Sequence, residues 1–175
     1  MYYTIHMLIA VFSDSHDRMD YIEQALRQVR ERGITNGIHL GDFCAPRALE
    51  ILATSGISWK CVWGNVDGDK LKAYRLIETY GTVDISDGDF REISVDGHAL
   101  FLTHYPEIAR LAALSGKFKA VFHGHNHIAS IEHVGDTLLA NPGELCGFRF
   151  GEPTFGIYNT ETNTFESVRV KALII

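Results

Sequence analysis

Five times along the chain, an apolar run of strand length is followed closely by aspartate, asparagine or histidine. The first run ends at Phe12 and leads into Asp14, Ser15 and His16. The segments after the later runs are Gly41-Asp42, Gly64-Asn65-Val66-Asp67, Thr103-His104 and Gly124-His125-Asn126-His127. In an open α/β sheet, ligand-binding side chains gather outside the carboxyl ends of the strands. We therefore expect an α/β fold that brings these distant segments to one edge.

The first half of the sequence alternates between strand and helix patterns. Strands are predicted over residues 7–12, 36–40 and 58–63, and helices over residues 19–32 and 46–52. In the first helix, apolar residues recur at helical spacing from Ile22 to Val29, and Gly33 follows its last turn. A β-α-β-α-β order implies parallel strands that are joined by right-handed crossovers.

The second half is rich in hairpin patterns. Strand pairs are predicted over residues 90–95 and 98–103, 128–134 and 136–140, and 154–160 and 164–171, with a helix at about 106–115 and a strand at 119–123. Asp96-Gly97 is a strong two-residue hairpin signal. Such an order packs best as two sheets with helices outside. Because no linker or repeat interrupts it, we expect one domain over residues 1–175, with residues 1–6 before Met7 as a candidate N-terminal extension.

The composition narrows the range of partners and locations that the chain can have. The chain carries a formal net charge of −6, and an anionic protein is a poor general partner for nucleic acid or acidic membranes. No apolar run approaches the length of a membrane span. The three cysteines, Cys44, Cys61 and Cys146, lack CxxC spacing, so free thiols and a cytoplasmic location are expected.

Each polar segment has an ordinary structural explanation when it is taken alone. Asp14 or Asp42 could belong to a turn or a helix cap, and His104 could be a hydrogen-bonded core histidine. Their joint occurrence, each after a predicted strand, favours a metal site instead. Histidine, aspartate and asparagine side chains in one place suit a pair of divalent metals of borderline hardness.

The order of these segments resembles the calcineurin-like metallophosphoesterase superfamily, whose pattern is DxH, GD, GNH(D/E), a lone histidine and GHxH. The small YfcE-type phosphodiesterase group is the most similar part of that superfamily, and the resemblance extends from residue 7 to the C-terminus. Asn141-Pro142-Gly143 is similar to the family's NPGS segment, with Glu144 in the place of the serine. The resemblance implies a four-layer α/β/β/α sandwich of two mixed β-sheets.

The resemblance also implies two divalent metal ions. One would be held by Asp14, His16, Asp42 and His127, and the other by Asp42, Asn65, His104 and His125. Asp42 would bridge the ions, and it would act in catalysis together with Asn65 and His104. Mixed oxygen and nitrogen ligands favour Mn, which is the first expectation, or Fe, Zn, Ni or Co, over Mg or Ca. A hydroxide between the two ions would attack the phosphorus atom of a small phosphodiester.

One residue departs from the family pattern. Val66 stands where the family has the histidine of GNH(D/E), a residue that is credited with assisting the leaving group. Its absence is expected to favour phosphodiesters over phosphomonoesters. The alternative function is a non-catalytic protein-binding scaffold on the same fold, as in the retromer subunit of the superfamily. Such relatives tend to lose metal ligands, whereas this chain keeps all seven, so the enzyme is favoured. A homo-oligomer is left open.

Overall fold

Two mixed β-sheets pack face to face, with helices on their outer sides, in a computed structural model that describes residues 7–171. The expected N-terminal extension, residues 1–6, lies outside the described residues. The strands in chain order are β1 (Leu8–Phe12), β2 (Asn36–His39), β3 (Ser58–Cys61), β4 (Val83–Ile85), β5 (Phe90–Val95), β6 (His98–Thr103), β7 (Ala120–Phe122), β8 (Ser130–Val134), β9 (Thr137–Asn141), β10 (Thr154–Asn159) and β11 (Thr164–Arg169). The helices are α1 (Met19–Glu31), α2 (Pro46–Ala53), α3 (Lys70–Tyr80) and α4 (Pro106–Leu114).

The first sheet has the order β11-β10-β1-β2-β3-β4, and the second has the order β5-β6-β7-β9-β8. In the first sheet, β1 to β4 are parallel neighbours, whereas β10 runs antiparallel to both β1 and β11. In the second sheet, β6, β7 and β9 are parallel, and the outer strands β5 and β8 are antiparallel. Five of the parallel strands, β1, β2, β3, β6 and β7, precede the predicted polar segments.

Three apolar cores separate four layers. On β1, Ala10 and Phe12 pack against α1 to α3, while Ile9 and Val11 pack between the two sheets. This division follows from the strand geometry, because successive side chains point to opposite faces of a sheet. A third core lies between the second sheet and α4. The α/β class and the four-layer α/β/β/α sandwich of two mixed sheets are therefore confirmed.

Two elements were not expected from the sequence, α3 and β4. Helix α3 buries only Ala73 and Ile77, so it lacks the broad apolar stripe by which a surface helix is recognised. Strand β4 has three residues and pairs with the edge of β3. The other expected elements are present, with ends that differ by no more than two residues from the predicted ones. Among the described helices, none has the length and apolar character that crossing a membrane requires.

Candidate metal centre

All seven predicted site residues lie together at the carboxyl ends of five strands. Asp14 and His16 follow β1, Asp42 follows β2, Asn65 follows β3, His104 follows β6, and His125 and His127 follow β7. The first three strands belong to one sheet and the last two to the other. The centre therefore lies where the ends of both sheets meet.

The loops of the centre have an unusual backbone. Asp14, His16, Asp42, His125 and His127 all have positive φ angles, between 39° and 73°. Residues other than glycine rarely adopt this region, and they tend to do so where the surrounding structure compensates the strain. Here the loops hold one another, since the Asp14 N–H donates to the Gly41 carbonyl (3.1 Å) and the His16 N–H to the Asp42 carbonyl (3.0 Å).

Glycine precedes several of the site residues because the loops approach each other closely. A Cβ atom on Gly64 would lie 2.3 Å from the Asp42 backbone nitrogen, and one on Gly124 would lie 2.6 Å from the Asp14 Oδ2 atom. Contacts of that length are not tolerated between real atoms. Gly64 thus allows the loops after β2 and β3 of one sheet to meet, and Gly124 allows the loops after β1 and β7 of the two sheets to meet.

The Asp42 carboxylate lies at the middle of the cluster. Its Oδ2 atom is 3.5 Å from His16 Nε2 and 3.4 Å from His104 Nε2. Its other oxygen, Oδ1, accepts a hydrogen bond from the Val66 N–H (3.1 Å). One oxygen of a nearly buried carboxylate therefore faces histidines on two sides.

The other candidate ligand atoms are described by the two predicted sets. In the first ligand set (Asp14, His16, Asp42 and His127), His127 Nε2 lies 3.3 Å from Asp14 Oδ1 and 3.4 Å from His16 Nε2. In the second ligand set (Asp42, Asn65, His104 and His125), Asn65 Oδ1 lies 3.0 Å from His104 Nε2 and 2.9 Å from His125 Nδ1. Asp42 belongs to both sets.

The atoms of both sets fit divalent cations. Four ligands around one ion at about 2.0–2.1 Å would lie roughly 3.3–3.4 Å apart in a tetrahedron, close to the observed spacings. Asp14 Oδ1 is buried and has no hydrogen-bond partner among the described residues, although its other oxygen accepts from the Ser13 hydroxyl and the His125 N–H. A buried carboxylate oxygen without a donor is costly, and a cation would satisfy it.

Burial dominates the electrostatics of the cluster, and contacts between the two aspartates and His104 oppose it. Burial raises the pKa of Asp14, which outweighs the lowering effect of His104. Burial opposes ionisation of Asp42 as well, but hydrogen bonding to His104 and further contacts hold its pKa below the usual range. Burial lowers the pKa of His104, and the opposing effects of Asp42 and Asp14 raise it overall. In the absence of metal, the charges of these residues compensate one another. Bound cations would supply that compensation instead.

Contacts behind the histidines orient their rings. The Nδ1 atom of His104 lies 2.8 Å from the Leu40 carbonyl, to which it can only donate, so Nε2 presents a lone pair to the centre. The Nδ1 atom of His127 lies 2.6 Å from Glu144 Oε2. Such partners fix the tautomer of a metal-binding histidine.

Glu144 and Asp67 are the supporting residues whose roles the sequence analysis missed. Glu144 was noted only as a departure from the family's serine, yet it is buried and contacts His127. Asp67 accepts backbone N–H groups from Asp42 (3.1 Å), Cys44 (2.9 Å) and Gly64 (2.6 Å), and so ties two loops of the centre together. The sequence signal for the role of Asp67 was its position two residues after the candidate ligand Asn65.

Two further histidines lie close to the centre but serve the scaffold. His39 is buried, accepts the Gly41 N–H (3.2 Å) and lies 3.1 Å from the Ser15 hydroxyl; burial lowers its pKa to about 3. His123 is buried beside the Gly124 carbonyl and the Asn141 amide. Both residues therefore support ligand loops from behind.

The family model of the calcineurin-like phosphoesterase superfamily domain matches residues 7–163. The chain belongs to this superfamily, and membership implies divalent metal ions. The chain is also similar to Phosphodiesterase MJ0936 of Methanocaldococcus jannaschii, with 30% identity over 164 residues that cover 93% of this chain and 98% of the relative. The predicted phosphoesterase function is confirmed at this level.

Solved structures agree with the fold. The structure of an archaeal phosphodiesterase has a TM-score of 0.86 and 30% identity, covering 93% of this chain and 99% of its own. The phosphoesterase YfcE from E. coli has a TM-score of 0.64, with 18% identity and coverage of 94% and 100%. Vps29 complexed with zinc from Entamoeba histolytica has a TM-score of 0.62, also with 18% identity, and coverage of 94% and 98%. At 18% identity the last two show the fold alone.

Proposed function

We propose that this protein is a dinuclear metal-dependent phosphodiesterase that hydrolyses small phosphodiesters. The observation that carries the proposal is the position of Asp42 Oδ2, which lies between His16 Nε2 at 3.5 Å and His104 Nε2 at 3.4 Å. A single carboxylate oxygen that two ligand sets share is the arrangement that a pair of neighbouring cations requires. The similarity to a named phosphodiesterase supports the choice of a diester substrate.

The residues of the centre would divide the work. Asp14, His16 and His127 would hold one cation, Asn65, His104 and His125 the other, and Asp42 both. Two divalent ions supply the positive charge that stabilises a phosphoryl group and activate water for attack. The protein contributes rigid geometry, because Glu144, Asp67 and the Leu40 carbonyl fix the ligands or their loops in advance.

Val66 supports the preference for diesters. Its side chain is 46% exposed beside Asn65, and it cannot donate a proton to a departing oxygen. A general acid typically contributes about 10²–10⁴ in rate, most for poor alkoxide leaving groups. Without one at this position, activated diesters are the favoured substrates.

Manganese is the metal that we place first, with Fe, Zn, Ni and Co as the other candidates for this donor set. A cytoplasmic location is inferred from the three cysteines, all of which are free thiols. The scaffold alternative is disfavoured because all seven proposed ligands are present and brought together.

The test is metal analysis of protein purified without chelator, combined with hydrolysis assays on bis-p-nitrophenyl phosphate and p-nitrophenyl phosphate. We expect two divalent ions per chain and metal-dependent turnover that favours the diester. Tight binding of two ions without turnover of either substrate would support the scaffold. Fewer than two ions at saturation would reject the dinuclear centre.

A further inference from the structure

A loop of five residues beside the metal centre presents two aromatic rings to solvent. Phe148 and Phe150 are 61% and 58% exposed, and Arg149 between them is exposed as well. Gly147 and Gly151 flank this 147–151 loop, and both have positive φ angles (64° and 74°). Exposed phenylalanine side chains forgo much of the free energy that burial would provide. Two of them at the tip of one loop suggest a binding surface.

The 147–151 loop is fastened to the centre by a single carboxylate. The backbone N–H of Arg149 donates to Glu144 at 2.9 Å, and that of Phe150 donates at 2.7 Å. The other oxygen of the same carboxylate, Oε2, lies 2.6 Å from His127 Nδ1. The loop and a proposed metal ligand are therefore positioned by the same residue.

The two rings lie on either side of the first ligand set. The Phe148 ring is 6.3 Å from the His16 ring, and the Arg18 guanidinium lies 5.4 Å from the Phe148 centroid while it donates to the Cys146 carbonyl. Phe150 lines a cavity of about 240 Å³ that His127 and Ile128 also line. Ile128 is itself 52% exposed, so the apolar surface continues outward from the ligand set.

The charges of this surface suit an anion with an aromatic group. Within residues 7–171, the Arg149 side chain has no hydrogen-bond or ion-pair partner. The acidic residue that lines the cavity, Glu152, is paired with Arg169 at 2.7 Å. An unpaired cation between two exposed rings is a combination that stacks on flat aromatic groups and attracts phosphate.

We propose that the 147–151 loop is a subsite for a flat aromatic ester group, and that the substrates are phosphodiesters with a nucleoside arm. The inference rests on the proposed function. Phe148 lies beside His16, and Phe150 lines a cavity with His127, so an ester arm of a phosphoryl group at the two ligand sets would lie within reach of both rings. A simple alkyl arm would leave both rings in water.

The experiment compares two diesters that share the p-nitrophenolate leaving group, the p-nitrophenyl ester of thymidine monophosphate and methyl p-nitrophenyl phosphate. Because the leaving group is the same, the ratio of their kcat/KM values reports on the other arm. Replacing both rings (Phe148→Leu with Phe150→Leu) is expected to lower the thymidine-to-methyl ratio by about fivefold or more, since base stacking is lost. Phe90→Leu is the matched control. Phe90 is 50% exposed and stacks on Phe101, which is not part of the 147–151 loop. The control should keep the ratio of the unmodified protein.

A second measurement does not depend on turnover. Saturation-transfer NMR with thymidine monophosphate and zinc-loaded protein is expected to show contact with the thymine ring, which the double variant loses. If neither diester is hydrolysed, the proposed function fails, and this contact alone decides the subsite. An unchanged ratio in a folded, metal-loaded double variant overturns the proposal. If the double variant also shifts from oligomer to monomer while the ratio stays unchanged, the proposal is overturned as well. The loop would then be an interface between copies of the chain.

Discussion

The two ligand sets receive different kinds of support. In the first set, His127 is oriented by the Glu144 carboxylate (2.6 Å), and His16 Nδ1 lies 3.4 Å from the Cys44 thiol. In the second set, His104 is oriented by the backbone carbonyl of Leu40. The second set is the more open one at its edge, because Asn65 and His125 are exposed, although His104 is fully buried. The His16 and His127 side chains of the first set are 19% and 11% exposed.

This difference indicates which set can be altered from a distance. A side-chain partner can be replaced by mutation while the ligand residue itself is kept, so the first set is adjustable through Glu144. A backbone carbonyl in the interior stays where the sheet places it, so the second set responds mainly to changes in the ligands themselves. The 147–151 loop is attached to the adjustable set, which links substrate contacts to one of the two cations.

Asp42→Asn has the largest expected effect, because Asp42 is the residue that both proposed ligand sets contain. Replacing a residue behind a metal ligand costs about 10–100-fold in affinity or activity. Loss of the shared anionic ligand should exceed the upper end of that range, because the two cations would then repel each other directly. The measurements are metal content and diester turnover. Asp136→Asn, an exposed aspartate in the turn between β8 and β9, is the control. Two bound ions with near-native turnover in Asp42→Asn would refute the sharing.

Glu144→Gln is expected to act on the first ligand set alone. The amide is nearly isosteric but uncharged, so it weakens the orientation of His127 while it can still accept a backbone N–H. We expect the affinity of one metal to fall by about 10–100-fold, with little change for the other. Calorimetric titration of metal-free protein measures both steps. Glu152→Gln is the control, because Glu152 lines the cavity that His127 also lines but pairs with Arg169. Equal weakening of both metals would show that Glu144 acts on the fold as a whole.

The residues that could be predicted are those whose position follows from a strand. Asp42 or His104 can be placed from the apolar run before it, because parallel strands end at a common edge. The contact between Glu144 and His127 could not be predicted, since it depends on the path of the chain between β7 and β10. Helix α3 was missed for a related reason, because it packs through Ala73 and Ile77 only and its pattern is weak.

The smallest expected effect concerns the position next to Asn65 of the second set. Val66→His would restore the family's histidine, but no ready partner would orient it. Asp67, the nearest carboxylate in sequence, already accepts the Asp42, Cys44 and Gly64 backbone N–H groups. A positioned general acid raises the rate by about 10²–10⁴, and an unoriented imidazole should contribute less. We therefore expect roughly a tenfold rise in the monoester-to-diester ratio of kcat/KM. The backbone N–H of residue 66 still donates to Asp42 Oδ1, so both ligand sets should keep their metals. Val66→Asn is the matched control, since it is polar and small but cannot transfer a proton. If the asparagine and histidine variants gave the same ratio at equal metal content, polarity at position 66 would explain the effect, and the absence of an acid would not account for the preference for diesters.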